Sequence, residues 1–151
     1  MLRPVVDVLP HRPPFLFLDE VVSVDDSGVV ARYRVPDDAD YLRGHYPGHP
    51  LVPGVLLVEM ALQAGAYFMG CRLLDAGEGL SGRVPVVSRL GDVKFKRPVT
   101  PGDELEIEAR PEEQVGPAHR MSARLRSARG GGKIACMVDF TVLLAPEGAD
   151  A

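Results

Sequence analysis

The sequence contains no tryptophan, and aromatic residues make up only 6% of its 151 positions. Its core must therefore be aliphatic, drawn from the many Val and Leu. Its two cysteines, Cys71 and Cys136, stand far apart and form no CxxC pair. A disulfide-dense scaffold is thereby excluded, and free thiols in a reducing, cytoplasmic compartment are expected. Positive charge is also short: 17 Lys and Arg face 21 Asp and Glu, a formal net charge of -4. Neither nucleic acid nor an anionic membrane is attracted by such a chain as a whole, so an acidic partner must find a local basic patch. The first thirty residues include Arg3, Pro4, Asp7, Pro10, Pro13 and Pro14 in place of an uninterrupted apolar stretch, so no signal peptide is expected. The chain has no GxSxG, no P-loop and no GxGxxG leading into a helix. Serine hydrolase, nucleotide hydrolase and dinucleotide-dependent oxidoreductase are left without support.

What the chain does have is enough apolar residue for one core: 46% hydrophobic and 25% charged, close to the soluble average. Its length suits a single domain, taken as residues 1–145 with a short tail at 146–151. From Phe15 to Val24 the run is aromatic and β-branched, and after Asp25-Asp26-Ser27-Gly28 a second alternating run covers 29–35, so a hairpin is predicted. Residues 36–53 are rich in Pro and Gly and should form an irregular loop carrying Tyr41, His45, Tyr46 and His49. Pro53-Gly54 opens a long helix that closes near 75–77 and is apolar all round except at Glu59 and Gln63. Such a helix should be enclosed on every side. The two polar residues inside the span, and the lack of a second such segment, argue against a membrane crossing. Four β-like segments follow at about 84–96, 103–110, 118–127 and 133–144. One buried helix with successive short strands predicts an α+β domain, an antiparallel sheet wrapped around the helix.

Few residues are placed to do chemistry. A carboxylate on an apolar helix loses hydration, which makes Glu59 either a general acid or half of a structural ion pair. Gln63 lies one turn on, where its amide can hold that carboxyl or a water. His45, in HYPGHP, is a base near neutral pH if the loop fixes it and a solvated side chain if not. The spacing of His45 and His49 is that of metal ligands on a helix, but Pro47 and Pro50 forbid a helix there and nothing completes a zinc shell; no metal is expected. His11 and His119 show no partner and are read as structural or exposed. At Pro53-Gly54 the first amides of the helix, Gly54 and Val55, can receive a developing oxyanion. Arg83, Arg89, Lys94, Lys96 and Arg97 crowd one stretch against Asp92 alone. Lys94 and Lys96 should share a strand face, either as a docking patch or as a solvated edge.

The segment HYPGHPLVPGVLLVEMALQ at 45–63 closely resembles the active-site segment of the FabZ type of (3R)-3-hydroxyacyl-acyl carrier protein dehydratase. LPHRPPFLFLDEV at 9–21, VKFKRPVTPGDEL at 93–105 and GKIACMVDFTVL at 132–143 are similar to further motifs of that family, in the family's order. The resemblance implies a hotdog fold, a homodimer and commonly a hexamer of three dimers, and a site shared between protomers. It implies His45 as base, Glu59 as acid, Gln63 orienting the acid, and Pro53, Gly54 and Val55 at the thioester. It further implies acyl carrier protein as the substrate's bearer and no cofactor; the charge crowding then makes Lys94, Lys96 and Arg97 the expected carrier contact. FabA-type isomerising relatives generally carry Asp where Glu59 stands. This sequence departs from the family pattern at Pro14, where an aromatic is usual, at Leu62, where alanine is usual, and at Val86 and Val87, in the region of a tunnel-gating tyrosine. All three departures bear on acyl length. A hotdog thioesterase and a non-catalytic acyl-carrier binding module are the alternative readings from other classes.

Overall fold

A computed structural model describes residues 2–148. The elements run α1 (Val5–Val8), β1 (Glu20–Asp25), β2 (Gly28–Arg34), α2 (Asp40–Gly44), α3 (Gly54–Asp75), β3 (Arg83–Phe95), β4 (Glu104–Val115), β5 (Ala118–Ser127) and β6 (Lys133–Pro146). The six strands form one sheet in the order β1-β2-β4-β5-β6-β3, antiparallel throughout. With α3 packed against β2, β4, β5 and β6, this is the α+β hotdog arrangement expected from the sequence. By length and composition α3 could cross a membrane, but 72% of its most apolar stretch is buried within this fold. It is a core helix.

The close approach of helix and sheet has a local cause at Gly65. A Cβ there would lie 2.7 Å from Phe140 Cζ and 3.2 Å from Met121 Sδ, so only glycine lets β5 and β6 come so near. The helix is not enclosed on every side, however. Val55 is 75% exposed, and Leu56, Glu59 and Leu62 are only partly covered. These residues recur at helical spacing and form one open stripe along the amino-terminal half of α3. Residues 63–71 are buried. Both cysteines are buried free thiols, and burial pushes the Cys136 thiol up to about 11, which makes it inert.

Three predicted boundaries move. The hairpin begins at Glu20 instead of Phe15, because the backbone N–H of Phe17 bonds to Gln63 Oε1 at 2.8 Å and thus leaves the sheet. β4 continues through Pro111 to Val115, since a bulge between Pro111 and Glu113 absorbs the missing N–H. Inside the expected loop, Asp40–Gly44 forms a short helix whose Leu42 is buried. At the carboxyl end β6 reaches Pro146, paired with Arg83, and the Glu147 N–H bonds to Gly82 O at 2.9 Å. Residues 149–151 of the expected tail lie outside the described residues.

One buried polar network ties the turns at the end of the sheet. Asp103 accepts the Ser127 hydroxyl and the Arg129 N–H (3.1 Å), while Ser127 Oγ accepts the Gly130 N–H at 3.0 Å. Both side chains are buried. Ser127→Ala should strip Asp103 of one donor and orphan the Gly130 amide. The expected loss is about 2 kcal/mol in denaturant unfolding, and a loss below ~0.5 kcal/mol would deny the network that weight.

Candidate active site

The site begins in the loop ahead of α3. Tyr46 and His49 exchange backbone bonds (Tyr46 N–H to His49 O, 3.2 Å; His49 N–H to Tyr46 O, 3.0 Å), closing a tight turn in which Gly48 has φ +75°. The Leu51 N–H bonds to His45 O at 2.8 Å, and the Val52 N–H bonds to Val99 O at 2.8 Å, which pins the loop to the turn after β3. His45 is therefore not a solvated loop side chain. Its Nδ1 lies 3.0 Å from Leu51 O. A carbonyl can only accept, so the proton sits on Nδ1 and the Nε2 lone pair is left available as a base. The ring stacks on Tyr46 at 4.4 Å. Tyr46 and His49 themselves are exposed, whereas Tyr41 turns inward edge-on to Phe17.

Pro53 immediately precedes α3 with φ -56°. Its carbonyl accepts from Leu56 (2.9 Å) and Leu57 (3.3 Å), and the helix dipole points its positive end at this loop. Among the described residues, the Gly54 and Val55 N–H groups have no backbone acceptor, as expected of a helix start. Gly54 is also a contact point: a Cβ on it would lie 2.9 Å from Phe95 Cε1 and Cζ. The ring of Phe95 therefore rests on the helix start and carries the exposed Lys94, Lys96 and Arg97 to its side. The KFK pattern could have pointed to Phe95, an apolar residue held between two cations. Lys96 itself lies just beyond β3, so the shared strand face expected for it and Lys94 ends at Phe95.

Glu59 stands one and a half turns into α3, on the open stripe. Gln63 Nε2 donates to its Oε1 at 3.1 Å and also to Phe15 O at 3.0 Å, while Gln63 Oε1 accepts from the Phe17 N–H. Fully buried, Gln63 holds the carboxyl and fastens the amino-terminal segment to the helix with one amide. Its amide holds the Glu59 carboxyl one turn earlier on the helix, and no part of the side chain reaches the surface of the chain.

Sequence reasoning missed a further neighbour: His11, which was given no partner, has Nε2 3.5 Å from Glu59 Oε1. No sequence spacing links positions 11 and 59. Among the described residues, no hydrogen bond or ion pair joins His45 to Glu59 within one chain.

A family profile described as a FabA-like domain matches residues 9–137. The chain is 34% identical over 146 residues to a 3-hydroxyacyl-[acyl-carrier-protein] dehydratase FabZ of Clostridium perfringens, covering 97% of this chain and 94% of that protein. It is 40% identical over 104 residues to the FabZ of Symbiobacterium thermophilum, covering 68% of this chain and 70% of that one. Among solved structures, the dehydratase heterocomplex ApeI:P from Xenorhabdus doucetiae shares its fold, with a TM-score of 0.82, 21% identity, and coverage of 97% of this chain and 94% of that one. A hypothetical thioesterase from Streptococcus pneumoniae, solved with coenzyme A, superposes with a TM-score of 0.62 at 16% identity, covering 86% of this chain and 88% of that one.

Proposed function

Because this chain belongs to the FabA-like family, as a hydro-lyase of the FabZ dehydratase type, we propose that it removes water reversibly from (3R)-3-hydroxyacyl thioesters on an acyl carrier protein in the cytoplasm. The product is the trans-2-enoyl thioester, made for fatty acid or related polyketide synthesis. The observation that carries the mechanism is the bond from His45 Nδ1 to Leu51 O, which leaves Nε2 as the base. Nε2 takes a proton from Cα, the C–H electrons form the Cα=Cβ bond, and the hydroxyl leaves Cβ with a proton from Glu59 as water. Negative charge gathered on the thioester oxygen is met by the amides of Gly54 and Val55 at the positive end of α3. Pro53 sets that helix start. The thioester already acidifies the Cα proton and no electrons leave the substrate, so the reaction calls for neither metal nor redox cofactor.

A second copy of the chain completes the reading. β3 is an outer strand of the sheet with one unpaired edge, and it exposes Val86, Val87 and Leu90. Pairing of two such edges makes a homodimer, and three dimers make a hexamer. The open stripe on α3 bears Glu59, so the acid of one protomer is available to the base of the other.

The test is incubation with a series of (3R)-3-hydroxyacyl carrier thioesters, followed by mass and chromatographic analysis. The expected product has lost one water and retains its thioester, with trans-2 geometry and no appreciable cis-3 isomer. Release of free carrier thiol without an enoyl product would instead support a thioesterase. For the carrier, charge reversal of Lys96 and Arg97 should raise KM for carrier-bound substrate about tenfold, the scale of two rim charges at ~0.5–1 kcal/mol each. KM for a small pantetheine thioester should hardly change. Equal losses on both substrates would place the damage in the pocket and not in docking.

A further inference from the structure

A second imidazole, His11, faces Glu59 from the amino-terminal segment of the same chain. Its Nε2 stands 3.5 Å from Oε1, the same oxygen that accepts the Gln63 amide at 3.1 Å. His11 is held in place from both sides. The neighbouring Arg12 guanidinium donates to three carbonyls, Val6 O (3.0 Å), Leu9 O (2.8 Å) and His11 O (2.6 Å). The His11 ring stacks with Phe15, centroids 6.5 Å apart. Beyond it, Phe15 and Phe17 are tied to Gln63 through their backbone groups. His11 Nδ1 is buried and has no hydrogen-bond partner among the described residues, so Nε2 is the nitrogen through which this ring acts. A carboxylate oxygen only accepts, and the tautomer that suits it carries the proton on Nε2.

The Gln63 amide thus donates to Oε1, and the His11 Nε2 stands 3.5 Å from the same oxygen, at the outer edge of hydrogen-bond reach. That oxygen accepts whether Glu59 is ionised or protonated, because in a protonated carboxyl the carbonyl oxygen still takes N–H donors while the other oxygen bears the proton. We infer that His11 is a positioning residue for the dehydration: with Gln63 it fixes Oε1 as the permanent acceptor and reserves Oε2 for the proton given to the departing hydroxyl. In each turnover the Oε2–H bond breaks and the proton leaves with the hydroxyl as water. Without His11 the carboxyl turns about its terminal bond and offers the wrong oxygen for part of the time. This role rests on Glu59 acting as the acid.

The experiment compares His11→Phe, His11→Gln, Glu59→Gln and the double variant His11→Phe/Glu59→Gln, using a small 3-hydroxyacyl pantetheine thioester. His11→Phe keeps a stacking ring without the donor and should lower kcat about tenfold or more, with KM within about twofold. His11→Gln, whose amide nitrogen falls near the place of Nε2, should recover most of that loss. In the Glu59→Gln background, adding His11→Phe should change little, since both act through one carboxyl. An unchanged kcat in His11→Phe would overturn the inference and leave the proposed reaction standing. Equal losses in the Phe and Gln variants, with KM and thermal midpoint moving together, would reduce His11 to a structural residue. Near wild-type turnover in Glu59→Gln alone would overturn both.

Discussion

Replacing His45 by Ala or Glu59 by Gln is expected to lower kcat for 3-hydroxyacyl dehydration by about 10²-fold or more, the scale of a lost base or acid. Both substitutions should leave the fold standing. His45 lies in a loop whose turn is closed by backbone bonds, and a glutamine at 59 still presents an oxygen to Gln63 Nε2. The two inactive proteins offer a sharper test when mixed. If the acid and base of one site come from two chains, exchange of subunits gives dimers with one intact site, and part of the activity should return. Stable mixed dimers that stay inactive would show that each chain carries its site alone. Near wild-type turnover in either single variant would remove that residue from its role.

Gln63→Leu should damage stability and turnover together, and by more than any other single change of similar volume near the site. Leucine fills the space but leaves the Phe17 N–H and the Phe15 carbonyl without the partners they have at 2.8 and 3.0 Å, and it frees Glu59. One buried and one part-buried backbone group left without partners cost about 2–3 kcal/mol. Denaturant unfolding measures that loss, and kcat should fall about tenfold through the unheld carboxyl. A destabilisation below ~1 kcal/mol would mean that the amino-terminal segment finds its bonds elsewhere.

This double duty of Gln63 also explains what could be read in the sequence and what could not. The helix from Gly54 to Asp75, the carboxylate inside it and the amide one turn on were legible, because all are local: an apolar run, an opening Pro-Gly, a 3.6-residue period. So were four of the six strands to within a few residues, bounded by Gly and Pro; the exceptions were β4, which ran on through Pro111, and β1. The start of β1 was not legible, since the residue that takes Phe17 out of the sheet lies 46 positions away. His11 was invisible for the same reason, its partner being brought up by the packing of the amino-terminal segment on α3. The helix Asp40–Gly44 escaped because five residues between loops are too few to give a period to detect. The open stripe on α3 was also missed: uniform apolarity says that every face wants cover and is silent on whether one chain can supply it.

Gly65, where α3 lies close against Phe140 of β6 and Met121 of β5, can be viewed as a fulcrum. Glu59 stands six positions towards the amino end, about 9 Å along the axis at 1.5 Å per residue. A Cβ at that point would meet the Phe140 ring at 2.7 Å and Met121 Sδ at 3.2 Å, so a side chain added there is expected to displace those groups or tilt the helix about that point. A tilt of about 6° would swing the carboxyl by about 1 Å, a displacement large enough to matter for proton transfer. The smallest residue in the middle of the helix thus bears on where a carboxyl that it never touches will point.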